Sequence, residues 1–185
     1  MISTNEFKTG YTIEVDGEIY SIVEFQHVKP GKGAAFVRTK LKNLRTQNVI
    51  EKTFRAGEKV ERAHIEHRQM QYLYPENDFL VMMDTDNFEQ LSIPKEKIGE
   101  DLKWLKENMV IEVLFYKGDI IGVELPHFVD FEVIETEPGI RGDTATAATK
   151  NAVLETGATI QVPLFVEKGD LIRVDTRTGE YLTRV

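Results

Sequence analysis

Apolar residues in this chain return at every second position, in short runs separated by turn-forming residues. In "YTIEVDGEIYSIVEF" two such runs flank Asp16-Gly17, and "AAFVRTKLKNL" alternates Phe36, Arg38, Lys40 and Lys42 against Val37, Thr39 and Leu41. A period of two sends one set of side chains to each face of a strand, and short strands must pair with several others to bury one face. The pattern predicts an all-β protein. Asp-Gly between alternating runs marks a two-residue hairpin. Further strands are expected at "VIEKTF", "MQYLYP", "FLVMMD", "FEQLSI", "VIEVLFY", "IIGVELP", "FEVIET", "TIQV", "LIRV" and "YLTR". One helix is expected after Pro94, where Ile98, Leu102, Leu105 and Met109 recur on one face.

The chain also resembles itself. "KENMVIEVLFYKGDII" from Lys106 aligns without gaps to "EKGDLIRVDTRTGEYL" from Glu167, with Ile111/Ile172, Val113/Val174 and Gly118/Gly179 identical. This spacing, in a chain of 185 residues, predicts three units of about 60 residues. They are residues 1–64, a small barrel of about five strands, then 65–127 and 128–185, two units of one fold. Short strands closing on themselves in so few residues fit OB-like barrels.

Charge is unevenly spread along this order. The net charge is −8, yet residues 29–62 hold ten basic and three acidic residues. One basic stretch in an acidic protein suits a polyanion bound through one end. The acidic remainder is screened beyond a Debye length of ~8 Å at physiological salt. There is no cysteine, which excludes thiol catalysis and zinc–thiolate sites. The three serines, Ser3, Ser21 and Ser92, stand in no nucleophile-elbow context. "GKG" at Gly31–Gly33 lacks the following Ser or Thr of a phosphate-binding loop. His64 and His67 have a helical metal-pair spacing, but the sequence places no third ligand, so no metal and no cofactor are expected. No enzymatic activity is expected. No run is long and apolar enough to cross a membrane, and "MISTNEFKTG" is not a secretory leader, so the expected location is the cytoplasm.

Two stretches remain as binding candidates. In "VKPGKGAA", Pro30-Gly31 is the preferred central pair of a type II turn, with Gly31 supplying the positive φ, Lys29 before it and Lys32 after it. Gly33 adds freedom before the next strand. The expected result is a slender hairpin tip with Lys32 projecting, backed by Arg38, Lys40 and Lys42 on one strand face. The second stretch, "PGIRGDTATAATKNA", is a long polar loop able to bring backbone and hydroxyls against a partner.

At these residues the chain resembles bacterial elongation factor P, along its whole length. "KPGKGAAFVR" is similar to the family's modified-residue loop, and "KNAVLETGATIQVPLFVEKG" to its signature in the last domain. The resemblance implies three small β-barrel domains in an L shape: an N-terminal KOW/SH3-like barrel and two OB-like barrels. It implies a monomer that binds the ribosome, both RNA and protein, beside the P-site peptidyl-tRNA. There it would stimulate peptide-bond formation at consecutive prolines. Lys32 occupies the position that an enzyme extends, by either a lysyl-type or an aminopentanol-type group, to reach the tRNA CCA end. Lys29, Pro30, Gly31 and Gly33 form its loop, and Arg38, Lys40 and Lys42 are expected to meet RNA. Gly142, Asp143, Thr144, Thr146, Thr149 and Lys150 match the last-domain loop that lies near the small subunit. An elongation factor P-like paralogue, or another ribosome-associated RNA-binding protein, would share these features.

Overall fold

Asp16 and Gly17 both take positive φ, 51° and 80°, the geometry that matches a two-residue turn to the twist of its strands. They join β2 (Thr12–Val15) to β3 (Glu18–Val28). The computed structural model describes residues 1–139 and 148–185. Around that hairpin lie β1 (Ile2–Ser3), β4 (Phe36–Asn43), β5 (Val49–Arg55) and β6 (Lys59–Arg62), in the order β1-β6-β2-β3-β4-β5. Alternate residues of these strands meet in one core of Phe7, Ile13, Ile22, Val37, Leu41, Phe54 and Val60. Phe7 and Phe54 pack edge to face at 5.7 Å. This first unit, Met1–Arg68, also includes the hairpin segment Val113–Gly122, fixed where the Tyr116 hydroxyl donates to Glu14 Oε2 at 2.8 Å.

The remaining strands are β7 (Glu66–Glu76), β8 (Phe79–Asp84), β9 (Gln90–Pro94), β10 (Val110–Tyr116) and β11 (Asp119–Glu124), followed by β12 (Phe128–Thr136), β13 (Thr149–Leu154), β14 (Thr159–Pro163), β15 (Leu171–Asp175) and β16 (Glu180–Arg184). They form two five-stranded sheets, ordered β11-β10-β7-β8-β9 and β14-β13-β12-β15-β16. Read from opposite ends these are one topology, with β10–β11 equivalent to β15–β16. The repeated segments are those two hairpins. β13, beginning at Thr149, takes the place of the end of the expected loop; its residues alternate exposed and buried against β14 once paired.

The expected four-turn helix is absent. A single turn, α1 (Lys95–Ile98), stops at Gly99, whose φ of 62° leaves the right-handed region, and a 3-10 segment runs to Trp104. Apolar spacing alone could not reveal that stop. The segment's product is instead Trp104, 3% exposed, which enters the core of the last barrel beside Phe131 at 5.9 Å. Lys106 follows, donating to the Asp130 carbonyl at 2.5 Å and pairing with Glu155 at 3.4 Å. Among the described residues no helix is long and apolar enough to cross a membrane.

Three loops share one construction. Asn43, Asp84 and Asp175 each accept, through a side-chain oxygen, from the backbone N–H two residues on. In each, the N–H four residues on returns to the backbone carbonyl of that Asn or Asp. The residues making that return bond, Gln47, Phe88 and Gly179, have φ of 65°, 60° and 75°. Glycine adopts this conformation without penalty; phenylalanine does not. Phe88 is also 68% exposed. Phe88→Gly is therefore expected to stabilise the fold by roughly 0.5–1 kcal/mol, the left-handed strain relieved minus the added unfolded-state freedom of glycine. A urea titration checks this; a lower midpoint would mean that the ring holds the loop.

Candidate nucleic-acid interface

β3 and β4 pair in register from Tyr20↔Asn43 to Val28↔Phe36, with a bulge between Ile22 and Glu24. At about 3.3 Å per residue, the 11 residues of β3 make an arm roughly 35 Å long. Its inner face is anchored by Val37 and Leu41, and by Thr39, whose hydroxyl donates to the Lys52 carbonyl at 2.6 Å. Beyond Val28↔Phe36 the ladder ends, and the seven residues Lys29–Ala35 form the tip. Pro30 has no N–H with which to continue it.

The tip differs from the type II turn expected at Pro30-Gly31. Gly33, not Gly31, has the positive φ, 104°. Seven residues are too many for one tight turn, and the chain bends at Gly31, Lys32 and Gly33. The consequence for Lys32 is the one anticipated. It lies at the loop's centre, three residues from either end, and is exposed.

Residues paired directly across an antiparallel sheet point to the same side, so the outer face of this arm can be read in rows from β3 through β4 to β5. Nearest the tip is Val28, Phe36 and Arg55; then Gln26, Arg38 and Thr53; then Glu24, Lys40 and Glu51; then Ser21, Lys42 and Val49. Arg38, Lys40 and Lys42 do share a face, with the first two exposed and Lys42 half-buried. They are not equivalent. Lys40 Nζ is 3.2 Å from Glu24 Oε2, and Glu51 stands opposite on the other side. The residues directly opposite Arg38, Gln26 and Thr53, are uncharged, and its guanidinium lies 6.0 Å from the Phe36 ring centre. Arg55 joins this face although sequence reasoning passed over it. Its place follows from the β4–β5 register, which local spacing does not encode. Behind the arm, hydrogen bonds from Asn43 and then Arg45 hold the Glu18 carboxyl below the ordinary glutamate range.

The second candidate stretch divides. Gly142, Asp143, Thr144 and Thr146 lie outside the described residues. Thr149 and Lys150 belong to β13 rather than to a loop. The Thr149 hydroxyl donates to Gln161 Oε1 at 2.9 Å; Gln161 in turn donates to Asn151 Oδ1, and Asn151 Nδ2 to Glu137 Oε1 at 3.1 Å. This polar ladder runs along the exposed side of β13 and β14. Lys150 is the correction: it is 6% exposed and shares the inward face of β13 with Ala152 and Leu154, so its side chain is not offered to a partner as a loop lysine would be. His64 and His67 share no helix face, because His67 lies in β7 and His64 in the short connection between β6 and β7.

This arrangement of an exposed cation on a long two-stranded arm, followed by two barrels of one topology, has counterparts. Residues 3–60 match the elongation factor P KOW-like domain, residues 65–123 the elongation factor P OB domain, and residues 129–184 the elongation factor P C-terminal domain. Elongation factor P of Moorella thermoacetica is 67% identical, and that of Syntrophomonas wolfei 63% identical, each match covering 100% of both chains. Among solved structures, eukaryotic translation initiation factor 5A from Methanococcus jannaschii superposes with a TM-score of 0.53 at 27% identity, covering 66% of this chain and 92% of that one. The chain belongs to the elongation factor P family.

Proposed function

We propose that this translation elongation factor binds the ribosome beside the P-site peptidyl-tRNA and, through the tip at Lys32, speeds peptide-bond formation between consecutive prolines. The observation that carries the reading is the position of Lys32, an exposed cation at the centre of a seven-residue tip beyond a long, core-anchored arm. Proline is a poor participant in peptide transfer because its ring restricts approach. A group that holds the tRNA end in reacting geometry lowers such a barrier by positioning, without supplying new chemistry. The bond is made by the ribosome, and the chain contributes no reacting group. Lys32, extended by a modifying enzyme, reaches the CCA end; Lys29, Pro30, Gly31 and Gly33 shape the loop that this enzyme recognises. Arg38 faces RNA, on the strand face it shares with Lys42 and with Lys40, whose ammonium is held 3.2 Å from Glu24. The stretch around Gly142, Asp143, Thr144 and Thr146 lies against the small subunit. The chain acts as a cytoplasmic monomer of three domains, residues 1–64, 65–127 and 128–185.

The test is reconstituted translation of a template encoding three successive prolines. Adding the factor is expected to convert the stalled peptide to full-length product, with no comparable gain on a proline-free template. An unchanged stall would overturn the reading.

A further inference from the structure

We propose that Arg38 and Arg55 together form a clamp for one RNA phosphodiester at the tip end of the arm, and that Lys40 has no part in it. The inference rests on the reading that this face meets RNA, and it divides the face into a part that grips and a part that does not.

The division follows from the rows across β3, β4 and β5. The row of Lys40 contains two carboxylates, Glu24 and Glu51, against one ammonium. Its net charge is negative, and the ammonium is already engaged at 3.2 Å. A phosphate approaching Lys40 would have to displace Glu24 and tolerate Glu51. The two rows nearer the tip contain no acid: Gln26, Arg38 and Thr53, then Val28, Phe36 and Arg55. The carboxylate of Glu58, three residues past Arg55, accepts from the Arg55 backbone N–H at 3.0 Å. Among the described residues neither guanidinium takes part in an ion pair.

Arg38 pairs with Thr53, and Arg55 is two residues further along the same strand. That is the diagonal relation on one face, with Cα atoms about 7–8 Å apart, well within the reach of two long side chains converging on one group. A guanidinium presents a planar fork that matches two phosphate oxygens, and two forks can hold one phosphodiester from both sides. Half-buried Phe36, directly opposite Arg55 and under the Arg38 guanidinium, gives the adjoining ribose an apolar floor. The clamp stands at the end of the arm nearest Lys32, so an RNA strand held there is held next to the tip.

The experiment is ribosome binding across a salt series with four single variants and the Arg38→Gln/Arg55→Gln double variant. For every phosphate that a variant leaves unneutralised, the slope of log affinity against log salt should become shallower by about 0.7. Two arginines on one phosphodiester leave it one cation when either is removed, so Arg38→Gln and Arg55→Gln are each expected to lower affinity with little change of slope, and the double variant to show the full change. Lys40→Gln is expected to alter neither. Arg55→Lys keeps the charge but not the fork, so its affinity should fall between that of Arg55→Gln and wild type. Slopes shallower by about 0.7 in each single variant and by about 1.4 in the double would mean two phosphates and overturn the clamp. An Arg38→Gln slope shallower by about 0.7, with Arg55→Gln equal to wild type in slope and affinity, overturns the clamp and leaves RNA contact at this face standing. An unchanged slope in the double variant overturns the RNA reading of the face itself. A Lys40→Gln effect as large as that of Arg55→Gln overturns the division. Thr53→p-benzoylphenylalanine, placed beside the clamp, should photocrosslink to ribosomal RNA; a crosslink confined to ribosomal protein identifies an acidic protein surface instead and overturns the proposal.

Discussion

Lys32→Ala is expected to abolish the rescue of proline-rich synthesis while leaving the fold untouched. The side chain is exposed, and the loop around it lies beyond the last paired residues of β3 and β4. Its removal should therefore change stability by less than ~0.5 kcal/mol. The activity loss should be near complete, because positioning is lost together with the group that positions. Both quantities can be read on one preparation: a urea midpoint for the fold, and full-length product from a three-proline template for activity. Lys32→Arg separates charge from modification, since arginine keeps the cation but presents a different group to an enzyme that extends lysine. It should also fail when made in the native host. The mass of the native peptide containing Lys32 should exceed that of the plain sequence. Full activity of Lys32→Ala would remove the tip from the mechanism, and an unextended native peptide would remove the modification.

The largest effect on stability is expected from Trp104→Ala. The indole is 3% exposed, packs against Phe131 and lies in the core that also contains Val129, Val133, Ile172 and Val174. Truncating a buried tryptophan costs about 3–5 kcal/mol through forfeited transfer energy and the cavity left behind. Gly179 shows how closely the ring is enclosed, since a Cβ there would meet the indole Cζ2 at 3.4 Å. The expected result is a large drop in the urea midpoint followed by circular dichroism, with a smaller loss for Trp104→Phe. Trp104 is the sole tryptophan, so fluorescence unfolding of the wild type reports on this core. A loss below about 1 kcal/mol would mean that the barrel closes over the gap, outside the usual range for a truncated core aromatic.

Hairpins and tip are legible in the sequence because they rest on local chemistry. Asp16-Gly17 demands its turn, alternating apolar residues demand a face, and a Pro-Gly-rich stretch between two strands demands a loop. What is not legible depends on partners distant in sequence. Arg55 joins Arg38 only through the β4–β5 register, and Lys40 loses its freedom only because Glu24 and Glu51 flank it from two other strands. Lys150 reads as a loop lysine until β14 pairs with its strand and turns it inward. The stripe Ile98, Leu102, Leu105 and Met109 suggests a helix because apolar spacing says nothing about the φ of Gly99. The turn at the tip falls at a different glycine from the expected one for a related reason. Gly31 and Gly33 are interchangeable in composition, and the local sequence does not say which of them takes the positive φ, which is Gly33.

A chain that specifies one strand order twice carries a hazard of its own. Equivalent strands can exchange during folding, and misassembly of this kind is the characteristic failure of repeated domains. Here each repeated hairpin closes through a short local turn. β10 and β11 are joined by the two residues Lys117 and Gly118, and β15 and β16 by the four residues Thr176–Gly179, with Asp175 bonded to Arg177 across the corner. Pairing β10 with β16 instead would replace a short turn by a connection of about 60 residues, at a greater loop-closure cost. Local closure thus keeps each copy folding on itself and lets a duplicated architecture persist in a single chain.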